Sequence, residues 1–192
     1  MQTRFLIITG MSGAGKTQVV RTLEDLKYFC IDNLPAALIP KFAELCRQTS
    51  ESNVALVVDV RGGQFFDKLL QVLDEIKASG QKYELLFLDA DDATLVRRYK
   101  ETRRRHPLGD SETLLDNLAQ ERELLAPLLE KSTYIINTTD LNSSELKNRV
   151  RELFSTDNER ERMGIVVRSF GFKYGLPLDS DLVLDVRFLP NP

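Results

Sequence analysis

Residues Gly10-Met11-Ser12-Gly13-Ala14-Gly15-Lys16-Thr17 satisfy G-x-x-x-x-G-K-[ST] at every fixed position, and few architectures can use such a loop. It wraps an anion only where a strand delivers the chain into it and a helix leaves it. The helix N-terminus then adds unpaired N–H groups and the positive end of a dipole. Both neighbours are present. Arg4–Thr9 is a strand of the buried type, and Lys16–Lys27 carries Val19, Val20, Leu23 and Leu26 on one helical stripe. Gly10 and Gly15 permit the backbone angles of the loop. The amides of Gly13 through Lys16 are expected to bond phosphate oxygens, Lys16 to reach the β- and γ-phosphates, and Thr17 to offer its hydroxyl to Mg2+. The expected nucleotide-binding loop is therefore Gly10, Met11, Ser12, Gly13, Ala14, Gly15, Lys16 and Thr17.

Downstream, strand-like and helix-like stretches alternate. Tyr28–Ile31 is a short apolar run ended by Asp32-Asn33-Leu34-Pro35, and Ala36–Cys46 reads as a helix started by Pro35. Val54–Val60 is a continuous β-branched run, as in a strand buried on both faces. Asp67–Ala78 is helical and stopped by Gly80, and Tyr83–Leu88 is the next strand. Ala93–Arg105 and Thr113–Lys131 read as helices, the second interrupted at Pro127; Tyr134–Asn137 is a strand and Ser144–Phe154 a helix. This order predicts an α/β fold: a doubly wound, mostly parallel five-stranded sheet with helices on both faces, kinase-like, over residues 1–155. Ser155–Arg162 is polar and reads as a linker. Ile165–Tyr174 and Leu182–Leu189 look like two further strands, a short β extension. Two strands hold no core alone, so they either dock on the first domain, exchange with another subunit or belong to a second domain; the favoured expectation is that residues 163–192 open a truncated C-terminal domain.

Composition narrows the function classes. The 192 residues are 42% hydrophobic and 29% charged, the balance of a globular protein, with no apolar run long enough to span a bilayer. No membrane role and a cytoplasmic location are expected. Cys30 and Cys46 lack metal or redox spacing and read as reduced packing residues, and the single histidine, His106, reads as structural. A net charge of −3 argues against generic nucleic-acid binding.

Three elements lie around the loop. Asp59 ends the most apolar strand, where a carboxylate can hold Mg2+ or merely cap a turn, and Arg61 and Gly62 follow it. Asp32 stands where small P-loop kinases carry an acceptor base, or serves as a turn residue. Arg97, Arg98, Lys100, Arg103, Arg104 and Arg105 form a basic run with Arg97, Lys100 and Arg104 on one helical face. That face can clamp a γ-phosphate, contact RNA phosphates or be a solvated surface. Phe170, Phe172 and Tyr174 alternate around Lys173, which suits one strand with a buried aromatic face or a base-stacking platform. No N-K-x-D guanine motif is present.

Several motifs taken together resemble one family. They are GMSGAGKT at 10–17, FCIDNLP at 29–35, Asp59-Val60-Arg61, LFLDA at 86–90, RRYKETRRRHPL at 97–108, SFGFKYGLP at 169–177 and DVRFLPNP at 185–192. The chain thus resembles the RapZ/YvcJ family of bacterial nucleotide-binding proteins, the RNase adapter proteins, over nearly its whole length. The resemblance implies ATP and GTP binding with weak hydrolysis and a GTP-binding segment at Asp59, Val60, Arg61 and Gly62. It also implies small regulatory RNA and an endoribonuclease as partners through a longer C-terminal domain. The expected reading is a regulatory P-loop protein taking ATP or GTP with Mg2+, held by Thr17 and Asp59, in a homo-oligomer. The alternative is a small-molecule kinase, with Lys16 at the phosphates, Asp32 as acceptor base and Arg98 or Arg104 as lid clamp.

Overall fold

The computed structural model describes residues 4–49, 53–58, 63–80, 82–102, 106–107 and 113–155, and then 166–171, 173, 175–178, 180–185 and 188. The chain divides into two compact units, Met1–Glu159 and Arg160–Pro192.

In the first unit β1 (Arg4–Gly10), β2 (Phe29–Asp32), β3 (Asn53–Val57), β4 (Glu84–Asp89) and β5 (Tyr134–Asn137) build one sheet. Its order is β2-β3-β1-β4-β5, and every neighbouring pair is parallel. The helices are α1 (Lys16–Asp25), α2 (Ile39–Thr49), α3 (Gly63–Ala78), α4 (Asp92–Thr102), α5 (Leu114–Glu130) and α6 (Ser143–Phe154). Right-handed crossovers dictate their sides. The move from β1 to β2 runs opposite to every later move, so α1 lies on one face while α2 to α5 lie on the other. The packing agrees: α1 meets α6, α3 meets α2 and α5, and α4 meets α5. No helix among the described residues is long and apolar enough to cross a membrane.

β1 is the centre of the core. Leu6, Ile7 and Ile8 are wholly buried, as befits a strand paired on both sides and covered on both faces. α6 closes one face through Leu146, Val150 and Phe154, spaced four apart, each buried apolar side chain contributing roughly 1.5–3 kcal/mol. At the N-terminal edge of the sheet the Arg4 guanidinium pairs with Glu84 and lies 4.9 Å from the centre of the Phe154 ring.

Some expectations shift. The Ala36–Cys46 helix becomes a 3-10 turn, Ala36–Leu38, followed by α2. α3 starts four residues before the expected Asp67. Pro127 does not interrupt α5, which runs unbroken to Glu130. The missing N–H falls in the last turn, and the carbonyl it would have served belongs to the exposed Glu123. Cys46 is buried and Cys30 half-buried, as packing residues should be.

In the second unit no strand forms among the described residues of 165–174 and 182–189. Val167, Leu178 and Phe188 stand exposed. An alternating pattern becomes a strand only where a partner ladder completes its hydrogen bonds.

Candidate phosphate-binding site

The loop at residues 10–17 leaves β1 at the C-terminal edge of the sheet, where doubly wound folds bind ligands. Gly10 has φ of 134°, and a Cβ there would run into the backbone carbonyl of Leu88 on β4. Only glycine allows β1 and β4 to stay paired while the chain turns. Gly15, φ 103°, starts α1 in the left-handed region.

The destinations of the loop amides decide what it can bind. Met11 N–H donates to Leu88 O at 2.9 Å, and Ala14 N–H to Met11 O at 3.1 Å. Ser12 N–H donates to the carboxylate of Glu121 at 3.0 and 3.1 Å. The amides of Gly13, Gly15 and Thr17 make no hydrogen bond with the described residues. α1 has neither a side-chain cap nor an acidic residue in its first turn. These open N–H groups and the positive end of the helix dipole can together receive an anion. Of the amides expected to face phosphate, that of Ala14 is turned back into the loop.

Lys16 arches over the loop. Its Nζ donates to Gly10 O at 2.6 Å and to Met11 O at 3.2 Å, so the ammonium sits beside the amides. The Thr17 side chain is at the exposed start of α1, where its hydroxyl can serve a hard cation bridging phosphates. A triphosphate with a divalent cation therefore fits the donors present.

The flanks of the loop are held from two sides. Arg98 of α4 donates through Nη1 to Gly13 O at 3.2 Å and to Thr138 Oγ1 at 2.9 Å, and through Nη2 to Thr138 O at 2.7 Å. Burial lowers the Arg98 pKa, though a guanidinium stays charged at neutral pH. The Thr138 hydroxyl lies 3.1 Å from the carbonyls of Ala14 and Asp89, one of which takes its proton. From α5, Glu121 reaches Ser12, with its Oε1 2.6 Å from Ser12 Oγ and its Oε2 3.2 Å from Nε2 of the buried His106. The next residue, Arg122, grips Asp89 at 2.9 and 3.1 Å, Ala90 O at 3.0 Å and Asp92 at 2.8 Å. Its pKa is raised: burial opposes the charge, but the bonds to Asp92 and Asp89 outweigh it.

Among the residues singled out from the sequence, the structure brings Lys16, Thr17 and Arg98 to the loop. Asp32 is exposed at the end of β2, on the same sheet edge but separated from β1 by β3. Asp59, Val60, Arg61, Gly62 and Arg104 lie outside the described residues. Glu121 was missed. Its one signal is its phase: it falls on the buried stripe of Leu118, Leu125 and Leu128, a place a carboxylate occupies only with partners.

Residues 3–158 match the RapZ-like N-terminal domain family, and residues 163–192 match the RapZ C-terminal domain. A nucleotide-binding protein from Clostridium botulinum is 53% identical over 192 residues, covering 98% of this chain and 65% of its own length. One from Desulforamulus reducens is 55% identical, covering 98% and 64%. The chain thus spans just under two thirds of the curated relatives it matches. Among solved structures, a shikimate kinase from Bacteroides thetaiotaomicron shares the fold with TM-score 0.54 at 21% identity, over 78% of this chain and 97% of its own. The Deinococcus radiodurans tunicamycin resistance protein does so with TM-score 0.54 at 16% identity, over 81% and 98%.

Proposed function

Because the chain belongs to the RapZ-like family through its N-terminal domain at residues 3–158, we propose that it is a regulatory domain binding ATP or GTP with Mg2+ at residues 10–17. Hydrolysis is slow. The observation that carries this reading is the set of open amides at Gly13, Gly15 and Thr17 beside the Lys16 ammonium. Thr17 and Asp59 would hold the Mg2+, which would offset phosphate charge, and Asp59 to Gly62 would contribute to GTP binding. Slow turnover is in keeping with two charged groups near the loop being already engaged among the described residues, Glu121 by Ser12 and His106, and Arg98 by Gly13 and Thr138. Small regulatory RNA and an endoribonuclease are assigned to the longer C-terminal domain of the family, and the assembly is a homo-oligomer.

The kinase reading keeps one supporting observation, the exposed Asp32 at the same edge of the sheet. Arg98 weighs against it as a lid clamp, because it would have to release three hydrogen bonds to reach a γ-phosphate.

Calorimetry of MgATP and MgGTP against the chain and its Lys16→Ala variant tests the proposal. Binding to the wild type, weakened at least about tenfold in the variant, is expected, since one charge-assisted hydrogen bond is worth about 1.5–3 kcal/mol. No heat with a folded wild type at millimolar nucleotide would end it. Phosphate transfer to a sugar or nucleoside acceptor, lost in Asp32→Asn, would favour the kinase instead.

A further inference from the structure

We propose that Glu121 is the residue that positions the phosphate loop, with His106 as its orienter; the inference rests on the nucleotide reading above. Glu121 and His106 are buried titratable groups that the proposed binding chemistry does not use. The Glu121 carboxylate, 5% exposed, accepts from the Ser12 amide, the Ser12 hydroxyl and His106 Nε2. A carboxylate so far from water is costly unless donors surround it. Here two of its three donor groups come from the loop itself.

The consequence reaches Lys16 through one peptide plane. In a trans peptide the N–H and the preceding C=O point in opposite directions. Turning the Ser12 N–H toward α5 therefore turns the Met11 carbonyl the other way. That carbonyl accepts from Lys16 Nζ at 3.2 Å and from Ala14 N–H at 3.1 Å. Glu121 thus orients the peptide that seats the lysine and closes the turn of the loop. His106 fixes the other carboxylate oxygen, and its ring stands 5.4 Å from the ring of Tyr99, tilted by 45°. Tyr99 in turn borders Gly13, 3.5 Å from where a Cβ would lie. The carboxylate is thereby fixed through a residue outside the loop and outside α5.

A purely stabilising contact would lower the melting temperature when cut, without acting on phosphate binding specifically. The test measures melting temperature and the affinities for MgATP, MgGTP and inorganic tripolyphosphate in the intact chain. The variants are Glu121→Gln, Glu121→Ala, Ser12→Ala and His106→Gln. Ile76→Ala is a core truncation in α3 that matches the loss of stability away from the loop. Glu121→Ala is expected to bind all three ligands about 10- to 100-fold more weakly, by a common factor. Glu121→Gln keeps an acceptor for Ser12 but not the charge, and is expected to lose about 3- to 10-fold. Ile76→Ala should bind like the wild type. If Glu121→Ala does not fold, Glu121→Gln and Ser12→Ala still read the same contact from either end. Folded Glu121→Gln and Ser12→Ala variants that bind tripolyphosphate within twofold of the wild type overturn the inference alone. A wild type that binds none of the three ligands overturns the nucleotide reading and this inference with it.

Discussion

Arg98 and Thr138 hold each other at two points, Nη1 to Oγ1 at 2.9 Å and Nη2 to the carbonyl at 2.7 Å. The pair joins α4 to the turn after β5, and both residues also reach loop carbonyls, Gly13 and Ala14. A carbonyl pinned outward turns the following N–H inward, so when the Thr138 proton goes to Ala14 O this contact helps aim the open Gly15 amide.

Replacing Arg98 with alanine is expected to cost about 1–3 kcal/mol in urea unfolding, because the part-buried hydroxyl and carbonyl of Thr138 lose a charged donor. Arg98→Lys should recover only part of this, since one ammonium cannot reproduce the planar fork that spans Gly13 and Thr138. Full recovery by lysine would show that charge alone mattered.

Two glycines with positive φ should respond very differently to alanine. At Gly10 the new Cβ meets the Leu88 backbone, whereas at Gly80, φ 74°, nothing lies within 4 Å. Gly10→Ala is expected to lose more than about 4 kcal/mol or not to fold. Gly80→Ala should lose only the strain of the left-handed region, about 1–2 kcal/mol. Comparable thermal melts for the two variants would refute the close approach of β1 and β4.

Burial pushes the Cys30 thiol up to about 12, with Glu24 adding to the shift. The folded thiol is therefore protonated at pH 8, and its alkylation should be at least about a hundredfold slower than in urea, because only the thiolate reacts. The sign for stability follows. An unfolded thiol ionises from about pH 9 while the folded one does not, so this contribution is complete at neutral pH and is lost as pH rises from 9 toward 12. Equal labelling rates with and without urea would contradict it.

Asn142 caps α6 by accepting from the Ser144 and Glu145 amides at 2.9 and 3.0 Å, and the Glu145 carboxylate in turn accepts from the Asn142 amide. Asn142→Ala should cost about 1 kcal/mol, and Asn142→Asp much less. One turn on, Leu146 stands 3.0 Å from where a Cβ of Gly15 would be, so fraying of α6 should also speed amide exchange at Gly15. Exchange at Gly15 equal to that of the wild type would separate the cap from the loop.

The fold was legible where function and packing coincide in local sequence. The loop pattern, the apolar run of β1 and the stripe on α1 are all contiguous, and the alternation of the remaining elements implied the parallel sheet. Glu121 was not legible as a loop contact because its partner Ser12 is 109 residues away. Only an acidic residue on an apolar stripe hinted that it had one. Arg98 stands out in the sequence for its charge, yet what engages it in the structure is largely backbone carbonyls, which carry no residue signature. That no strand forms among the described residues of 165–174 and 182–189 has a related reason: alternation describes one face of a strand and says nothing about a partner.

Glu121 and Arg122 are consecutive, yet one serves the loop and the other serves the end of β4. Successive helical residues diverge by about 100° around the axis, so α5 cannot roll without releasing one of them. A single residue added between Leu114 and Leu118 would swing both side chains off their targets. An addition of four would bring them back to within about 40°. Changes in length should accordingly be tolerated in this stretch of the helix by whole turns and rejected otherwise.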